Sequence, residues 1–485
     1  MEDVVIVGAG PTGLWLAGEL RLGGASVTVL ETRGERDPNS KALTIHPRTI
    51  EIFDCRGTAA PFLAEGLRIP NGHFGGLPDR MDFAALDTPY PFTLALPQAR
   101  TEELLEARAD RMGATIRRGC EVVGRAGAGV ELADGTVVEA RYVVGCDGTR
   151  STVRAAAGID FPGTDATTWG WLGDVVLDAP PERGFASFAG AAGGLMVVPL
   201  PGGIHRLVGG DPGADRPEWP GELTLDELRA TVRRIAGTDF GMRDPVWLSR
   251  FGNATRQAAA YRQGTVLLAG DAAHMHFPTG GVGMNVGIQD AHNLGWKLAA
   301  VVTGRADETL LDTYHEERHP VGADLLEHTR AQTALITAYT PEGRALRAVL
   351  SGLIAAAPDM SRELAERLSG LSVAYGTGKR VANLEFPDGS TLFERLRTGE
   401  HVKTEAGLVR PDGHLAAVER SGCLGAGELP EGDRGRGGDV EGVDVVVHRN
   451  GDANVAGLER LAAEAGTLGA EQQRGPVPLG GGEVL

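Results

Sequence analysis

The sequence predicts an α/β fold in which a Rossmann-type nucleotide-binding sheet is interrupted by an inserted mixed β-sheet and followed by a helical segment. Three observations at the start of the chain carry the first part. Residues 4–7 are an apolar run made only of β-branched side chains, and they end in Gly8-Ala9-Gly10-Pro11-Thr12-Gly13. Leu14, Leu16, Ala17 and Leu20 then recur at helical spacing until Gly23-Gly24 stops the pattern. Residues 27–30 form a second buried-type strand that closes on Glu31. Strand, turn, helix and strand in this order make the first βαβ unit of a nucleotide-binding sheet.

The remaining elements follow in order. A helix over residues 101–112 leads into strands near residues 115–116, 130–132 and 142–144. From 167 to 247 the pattern changes to short strands (173–177, 195–200, 204–208) joined by Gly/Pro turns, with one helix near 225–235. Pro201-Gly202-Gly203 reads as a hairpin. This is the inserted sheet. Residues 266–269 return to the first sheet, and helices follow over 288–302 and from 308 onward, with a break expected at Pro320. Beyond Gly378 the chain deteriorates as a folding sequence. Residues 422–442 are glycine-rich and charged and 475–482 are polar and Gly/Pro-dense, which predicts disorder, with residues 443–447 a short apolar exception.

A chain of 485 residues exceeds one core and fits two or three domains. Its net charge of −18 argues against phosphate backbones and anionic membranes, so neither nucleic acid nor membrane is expected as a partner. Four cysteines stand far apart with no C-x-x-C pair, the pattern of reduced cytoplasmic thiols. The apolar start lacks a basic n-region and is broken by Gly8, Gly10, Gly13 and Glu19. No stretch approaches the roughly 18 apolar residues of a membrane helix. A soluble, cytoplasmic protein is the expectation.

In the first motif, Gly8 allows the tight turn, Gly10 lets backbone approach a pyrophosphate, and Gly13 lets helix and strand pack closely. The helix N-terminus presents its partial positive charge to the phosphates, and Glu31 can accept from a ribose diol. This motif alone does not separate FAD from NAD. Two later motifs do. Residues 146–154, Cys-Asp-Gly-Thr-Arg-Ser-Thr-Val-Arg, hold D-G-x-x-S-x-x-R directly after a buried-type strand. Gly270-Asp271-Ala272-Ala273-His274 follows another and runs on into Pro278-Thr279-Gly280-Gly281-Val282-Gly283-Met284-Asn285.

With these three fingerprints in order, the sequence resembles the class A flavoprotein monooxygenases over roughly residues 1–380. The resemblance implies non-covalent FAD, with NADPH or NADH as a transient co-substrate and O2 as oxidant. Hydroxylation of an aromatic polyketide would proceed through a flavin C4a-hydroperoxide. The chemistry is flavin-borne, so no catalytic side chain is assigned. The implied cofactor-binding residues are Gly8, Gly10, Thr12, Gly13, Glu31, Lys41, Arg48, Gln98 and Val122 in the first part of the chain. Asp147, Gly148, Arg154, Asp271, Pro278, Gly281, Gly283, Met284 and Asn285 complete them. Asp271 suits an acceptor for ribityl hydroxyls, and the glycines at 280–283 offer N–H groups to a reduced flavin ring. Lys41 stands where the family usually has arginine and keeps the charge without the bidentate fork. Arg48 reads equally well as a surface arginine. His274 and His276 have no carboxylate or cysteine at matching spacing, so no metal site is expected.

Residues 73–78, 117–119 and 251–257 look like hydroxylases of angucycline-type polyketides, with rifamycin-type monooxygenases as relatives. Phe74, Trp169, Trp171, Phe185, Met196, Pro199 and Phe277 are the candidate substrate contacts. Trp169-Gly170-Trp171 is similar to the W-x-W of flavin-dependent halogenases, but Leu172-Gly173-Asp174 lacks the Ile-Pro that completes it, so that reading is rejected. The implied division is an FAD-binding domain with C-terminal helices (1–166 and 255–375), a substrate sheet (167–254, with 70–96 contributing), an incomplete thioredoxin-like remnant (376–421) and a disordered tail (422–485). A Baeyer–Villiger oxygenase of the same fold, and an FAD dehydrogenase or degenerate flavin-binding protein, are the alternatives. The oligomeric state is open.

Overall fold

The computed structural model describes residues 1–416, apart from Arg183 and Thr377. Strand β1 (Glu2–Val7) feeds the glycine turn, helix α1 (Pro11–Leu22) and strand β2 (Val27–Glu31). Pro11 occupies the first turn of α1, where its missing N–H leaves no bond unmade. Then come β3 (Thr44–Ile45), α2 (Pro47–Asp54), β4 (Thr93–Ala95), α3 (Gln98–Arg111) and β5 (Thr115–Arg118). Strands β6 (Val122–Ala126) and β7 (Gly129–Leu132) make a hairpin that leads into β8 (Val137–Gly145), followed by the short helix α4 (Thr152–Ala156).

The inserted region holds β9 (Trp169–Leu177), β10 (Ala186–Gly190), β11 (Gly193–Pro199), β12 (Ile204–Gly210), helix α5 (Leu225–Ala236) and β13 (Met242–Gly252). Strand β14 (Val266–Leu268) returns to the first sheet. Helices α6 (Gly283–Val302), α7 (Asp312–Ile336), α8 (Pro341–Ala356) and α9 (Pro358–Ser369) follow, and the hairpin β15 (Val402–Thr404) and β16 (Gly407–Val409) comes last.

The main sheet is parallel through β14, β8, β1, β2 and β5. Val4, Val5, Ile6, Val143, Val144, Leu267 and Leu268 are buried at its centre, as expected of parallel strands covered on both faces. Helix α1 packs directly on α6. Val7, Gly145 and Leu268 stand side by side in register, so three strands end level on one edge. The turn after each strand therefore opens on the same side, the place where open α/β sheets bind ligands.

The five-stranded part of the inserted region, expected as mixed, pairs antiparallel in the order β10–β11–β12–β9–β13. Tight hairpins join β10 to β11 and β11 to β12, and such links can only reverse the chain. Strands β10 and β13 are absent from the sequence reading. Helix α5 covers one face, and Trp171, Val175, Leu195, Val197, Leu207 and Leu228 make the core between them.

Two expectations are corrected. Helix α7 runs straight through Pro320. A proline inside a helix costs about 3 kcal/mol, and here tertiary bonds made by the two turns before it offset that cost. Tyr314 donates to the Leu268 carbonyl at 2.7 Å, Arg318 pairs with Asp290 at 2.7 Å, and Gln257 Nε2 donates to the His319 carbonyl at 2.7 Å. Nor does the chain deteriorate at Gly378. Val381, Leu392, Phe393, Leu396, Val402 and Val409 close a small core with Cys55. The tail at 422–485 lies outside the described residues.

Candidate functional site

At the first turn, each glycine has a distinct steric reason. Gly8 has φ +104, and a Cβ there would meet the Cys146 carbonyl oxygen at 2.3 Å. A Cβ on Gly13 would lie 2.0 Å from the Gly8 carbonyl oxygen. A Cβ on Gly10 would meet nothing within 4 Å. Gly10 therefore borders open space at the N-terminus of α1, which has no side-chain cap. An uncapped helix start leaves its first N–H groups free for an anion. Glu31 reaches this turn, its Oε2 accepting from Ala9 N at 2.9 Å while Oε1 accepts from Arg33 N at 3.0 Å.

The second turn holds Asp147 and Gly148, the latter at φ +78. Asp147 Oδ2 accepts from Val153 N at 3.1 Å, and Oδ1 is buried without a partner. Burial raises its carboxyl above the usual range, against hydrogen bonds from Ser151 and Val153. Arg154 welds this turn to the third. Its guanidinium donates to the Ala272 carbonyl at 2.8 Å and the Thr149 carbonyl at 2.9 Å, and lies 3.7 Å over the Phe161 ring.

The third turn carries Asp271, exposed and without a protein hydrogen bond among the described residues. The turn around it is held from behind. Asp290 Oδ2 accepts from Gly270 N at 3.0 Å and from His274 Nε2 at 2.8 Å, and Asp290 Oδ1 pairs with Arg318. Burial would raise the Asp290 carboxyl, but Arg318 and His274 outweigh it and hold it below the usual range. Thr12 wedges its hydroxyl where Cβ atoms on Gly270 and Gly287 would sit, at 2.8 and 2.4 Å. Its side chain is thus a spacer between α1, this turn and α6.

Beyond the third turn, Pro278 precedes a kinked stretch with Gly280 at φ +69 and Gly281 at φ +64. Gly283 and Met284 begin α6, again without a side-chain cap. Asn285 is fully engaged with protein. Its Oδ1 accepts from His46 N at 2.8 Å, and its Nδ2 donates to the carbonyls of Thr44 and Gly281 at 3.0 Å. Gln98 clamps the loop that carries Lys41, its Oε1 accepting from Ala42 N at 3.0 Å and its Nε2 donating to Glu102. Lys41 itself is exposed. Val122 is buried on β6 opposite Leu132.

Arg48 is neither exposed nor free. It is 2% exposed, pairs with Glu51 at 2.8 Å and donates to the Asp412 carbonyl at 2.6 Å. The described Asp412 segment thus reaches under α2, where Arg56 also donates to the Leu396 and Pro411 carbonyls. Arg48 borders a buried cavity of about 10 Å³, room for about one water and too small for a cofactor.

The substrate candidates divide between the two faces of the inserted sheet. Trp171 faces α5 and is buried in its core, so it is corrected to a packing residue. Trp169 points to the same side, against Trp219 at 4.8 Å, with its Nε1 donating to the Arg216 carbonyl. Pro199 and Phe185 are exposed at the sheet margin. Alternation along β11 sets Met196 opposite to Leu195 and Val197, on the face away from α5. Phe277 packs at a tilt against Phe251, ring centroids 5.1 Å apart, and Phe74 against His328 at 5.3 Å.

The sequence reading missed several residues on these surfaces. Phe251 and the buried Asp174–Arg206 pair at 2.7 Å stand on the inserted sheet, and His46 stands against the turn at Gly280. Pro47 at the first helical position was a usable signal that a helix starts directly after His46; the ion pair left none. A cleft of about 770 Å³ lies between residues 35–40, the start of α3 and the inserted sheet at Asp174, Leu200, Ile204 and Val246. Among the described residues, no group of three His, Cys, Asp or Glu side chains is placed to hold a metal ion, and no helix is long and apolar enough to cross a membrane.

The comparisons with known proteins agree with this geometry. Residues 1–329 match a family model described as an FAD binding domain. The chain is 48% identical over 474 residues to the uncharacterized aromatic compound monooxygenase YhjG of Bacillus subtilis (strain 168), covering 86% of this chain and 95% of that protein. It is 42% identical over 463 residues to the rifampicin monooxygenase of Streptomyces venezuelae, again over 86% and 95%. The solved structure of OxyS anhydrotetracycline hydroxylase from Streptomyces rimosus is similar with a TM-score of 0.77 and 38% identity, over 86% of this chain and 95% of that one.

Proposed function

The chain belongs to the class A FAD-dependent monooxygenases, and from that premise we propose that it hydroxylates a fused-ring phenolic or quinone polyketide with electrons from NADPH or NADH. Bound FAD supplies the redox chemistry, so that one oxygen atom of O2 enters the ring and the other leaves as water while the nicotinamide is oxidised. The observation that carries the reading is the set of three turns on one sheet edge, with two uncapped helix N-termini and open space at Gly10.

The chain's residues divide the work of holding and orienting. The N–H groups after Gly10 take the pyrophosphate, with Gly8 and Gly13 permitting the turn. Glu31 takes the adenosine ribose beside Val122, and Asp271 takes the ribityl chain. Asp147 and Gly148 border the same opening. The free N–H groups from Gly281 to Met284 face the flavin ring edge, and Gln98 and Lys41 line its other side. Arg154, Thr12 and Asn285 act behind this layer by fixing the turns, and Arg48 anchors the C-terminal segment. Met196, Phe251, Phe277 and Phe74 are the side chains that orient an aromatic substrate and exclude water.

Residues 1–166 with 255–375 make the FAD-binding domain and 167–254 the substrate sheet. We read residues 376–421 as what is left of a thioredoxin-like domain, with its described residues 378–416 recruited to packing, and the protein as cytoplasmic. Incubation with NAD(P)H, a panel of polyphenolic tetracycles and labelled O2 tests the activity. One labelled atom in a ring hydroxyl is the expected product. Label in a ring-expanded lactone points to Baeyer–Villiger insertion, and label only in peroxide or water to a dehydrogenase.

A further inference from the structure

We propose that His46 is a positioning residue for the turn at Gly280 and Gly281, which sets how the peptide N–H groups beside the flavin ring are aimed. This deepens the functional reading above and rests on it. His46 is 3% exposed and stands between β3 and α2. Its ring Nε2 lies 2.9 Å from the Gly280 carbonyl oxygen, and its Nδ1 lies 3.3 Å from Thr93 Oγ1. A carbonyl can only accept, so Nε2 carries the hydrogen. Nδ1 is then bare and accepts from the Thr93 hydroxyl. The Gly280 carbonyl therefore sets the tautomer, and the Thr93 hydroxyl supports it by donating to the bare Nδ1.

The grip extends to the next peptide. Thr44 Oγ1 donates to the Gly281 carbonyl at 3.3 Å, and Asn285 Nδ2 to the same oxygen at 3.0 Å. In a trans peptide the carbonyl and the following N–H point in opposite directions. With both carbonyls drawn toward β3, the N–H groups of Gly281 and Val282 point away from it. Both glycines have positive φ, where a peptide plane has few intrinsic restraints and can flip unless held. Burial lowers the His46 imidazole to about 4, against the pull of the two carbonyls, so the ring stays neutral and the arrangement does not depend on pH near 7.

The test compares wild type with His46→Leu, His46→Gln and Thr93→Val, each as the flavin-loaded enzyme. The readouts are the two-electron midpoint potential and the visible spectrum of the bound flavin. Aimed N–H groups favour the anionic reduced ring, so His46→Leu should reduce the preference for reduced over oxidised FAD about tenfold. That is a fall of about 30 mV in midpoint potential. The Gln amide can donate from nearly the same place and should restore most of the difference. Thr93→Val keeps the shape, leaves Nδ1 without its donor, so that the ring is held less firmly, and should shift the potential in the same direction by less. It serves as the reading should His46→Leu fail to fold. Potentials and spectra unchanged in Thr93→Val and His46→Leu would overturn the proposal, as would equal shifts in Leu and Gln. Wild-type protein that binds no flavin would overturn the functional reading as well, whereas flavin bound at unaltered potential in the variants removes this inference alone.

Discussion

Replacing Gly10 and Gly13 separates the fold of the nucleotide turn from its occupancy. Gly10 has φ −78 and ψ −178, a conformation open to any residue, and its absent Cβ points where no protein atom lies within 4 Å. Gly10→Val therefore introduces neither backbone strain nor a protein clash, and the apoprotein should keep its stability within about 0.5 kcal/mol. The added carbons occupy the opening over α1. Forcing a ligand past extra methyl groups costs about 1–3 kcal/mol, which is a 5- to 150-fold loss of FAD affinity. Gly13→Ala behaves in the opposite way. Its Cβ would lie 2.0 Å from the Gly8 carbonyl oxygen and 3.3 Å from Ile6 Cγ2, so backbone must move by more than an ångström and β1 parts from α1. Urea denaturation of both apoproteins, with FAD titration followed by flavin fluorescence, measures the two effects. Gly10→Val binding FAD as tightly as wild type, or unfolding as early as Gly13→Ala, would refute the reasoning.

Asp271→Ala should weaken FAD about 10- to 150-fold, the worth of a hydrogen bond to a charged group, and leave apoprotein stability unchanged. An unaltered FAD titration would remove Asp271 from the site. Arg56→Met should destabilise by about 3–5 kcal/mol, because it strips Glu19 of a partner at 2.8 Å and orphans the Leu396 and Pro411 carbonyls. A thermal midpoint within a degree of wild type would contradict it. Stability should also fall with acid before carboxylates titrate. Burial lowers His46 and, with Arg56, His292 to about 4. Above pH 6.5 both rings are neutral whether folded or unfolded and contribute nothing to the pH dependence. Below it the unfolded chain takes protons that the folded one refuses, a loss of about 2.5 kcal/mol per ring by pH 4.5. Equilibrium denaturation across pH 7 to 4.5 should show that slope, reduced in His292→Gln; a flat profile would place these imidazoles near 6.5.

What was legible in the sequence was local. Residues 4–31 announce their own structure because strand, turn, helix and strand are adjacent in the chain and Gly13 acts on Gly8 and Ile6 within the same unit. The face of a strand was not legible. Trp171 and Leu172 alternate, but period two does not say which side meets α5 and which the cleft. Strand β13 was hidden because its first half, Met-Arg-Asp-Pro, is charged and holds a proline, which an edge strand tolerates. Arg48 was misjudged because its acceptor at Asp412 lies on a distant part of the chain. The region after Gly378 looked poor because it contributes only a few large apolar residues, and these complete a core whose other wall is α2.

The interruption of the parallel sheet between β8 and β14 has a bearing on how the protein is made. A ribosome delivers β1, β2, β5 and β8 first, then the whole inserted sheet, and only afterwards the strand that pairs with β8. The inserted sheet has hairpin connections and its own helix, so it can assemble from nearby contacts while its host still has an open edge at Val143–Gly145. Such an edge invites pairing with other chains until Val266 to Leu268 arrives to cover it. The order of synthesis thus favours a chain that translates the insertion without delay. Slowing codons between β8 and β14 would lengthen the exposed interval, and with it the aggregated fraction during expression.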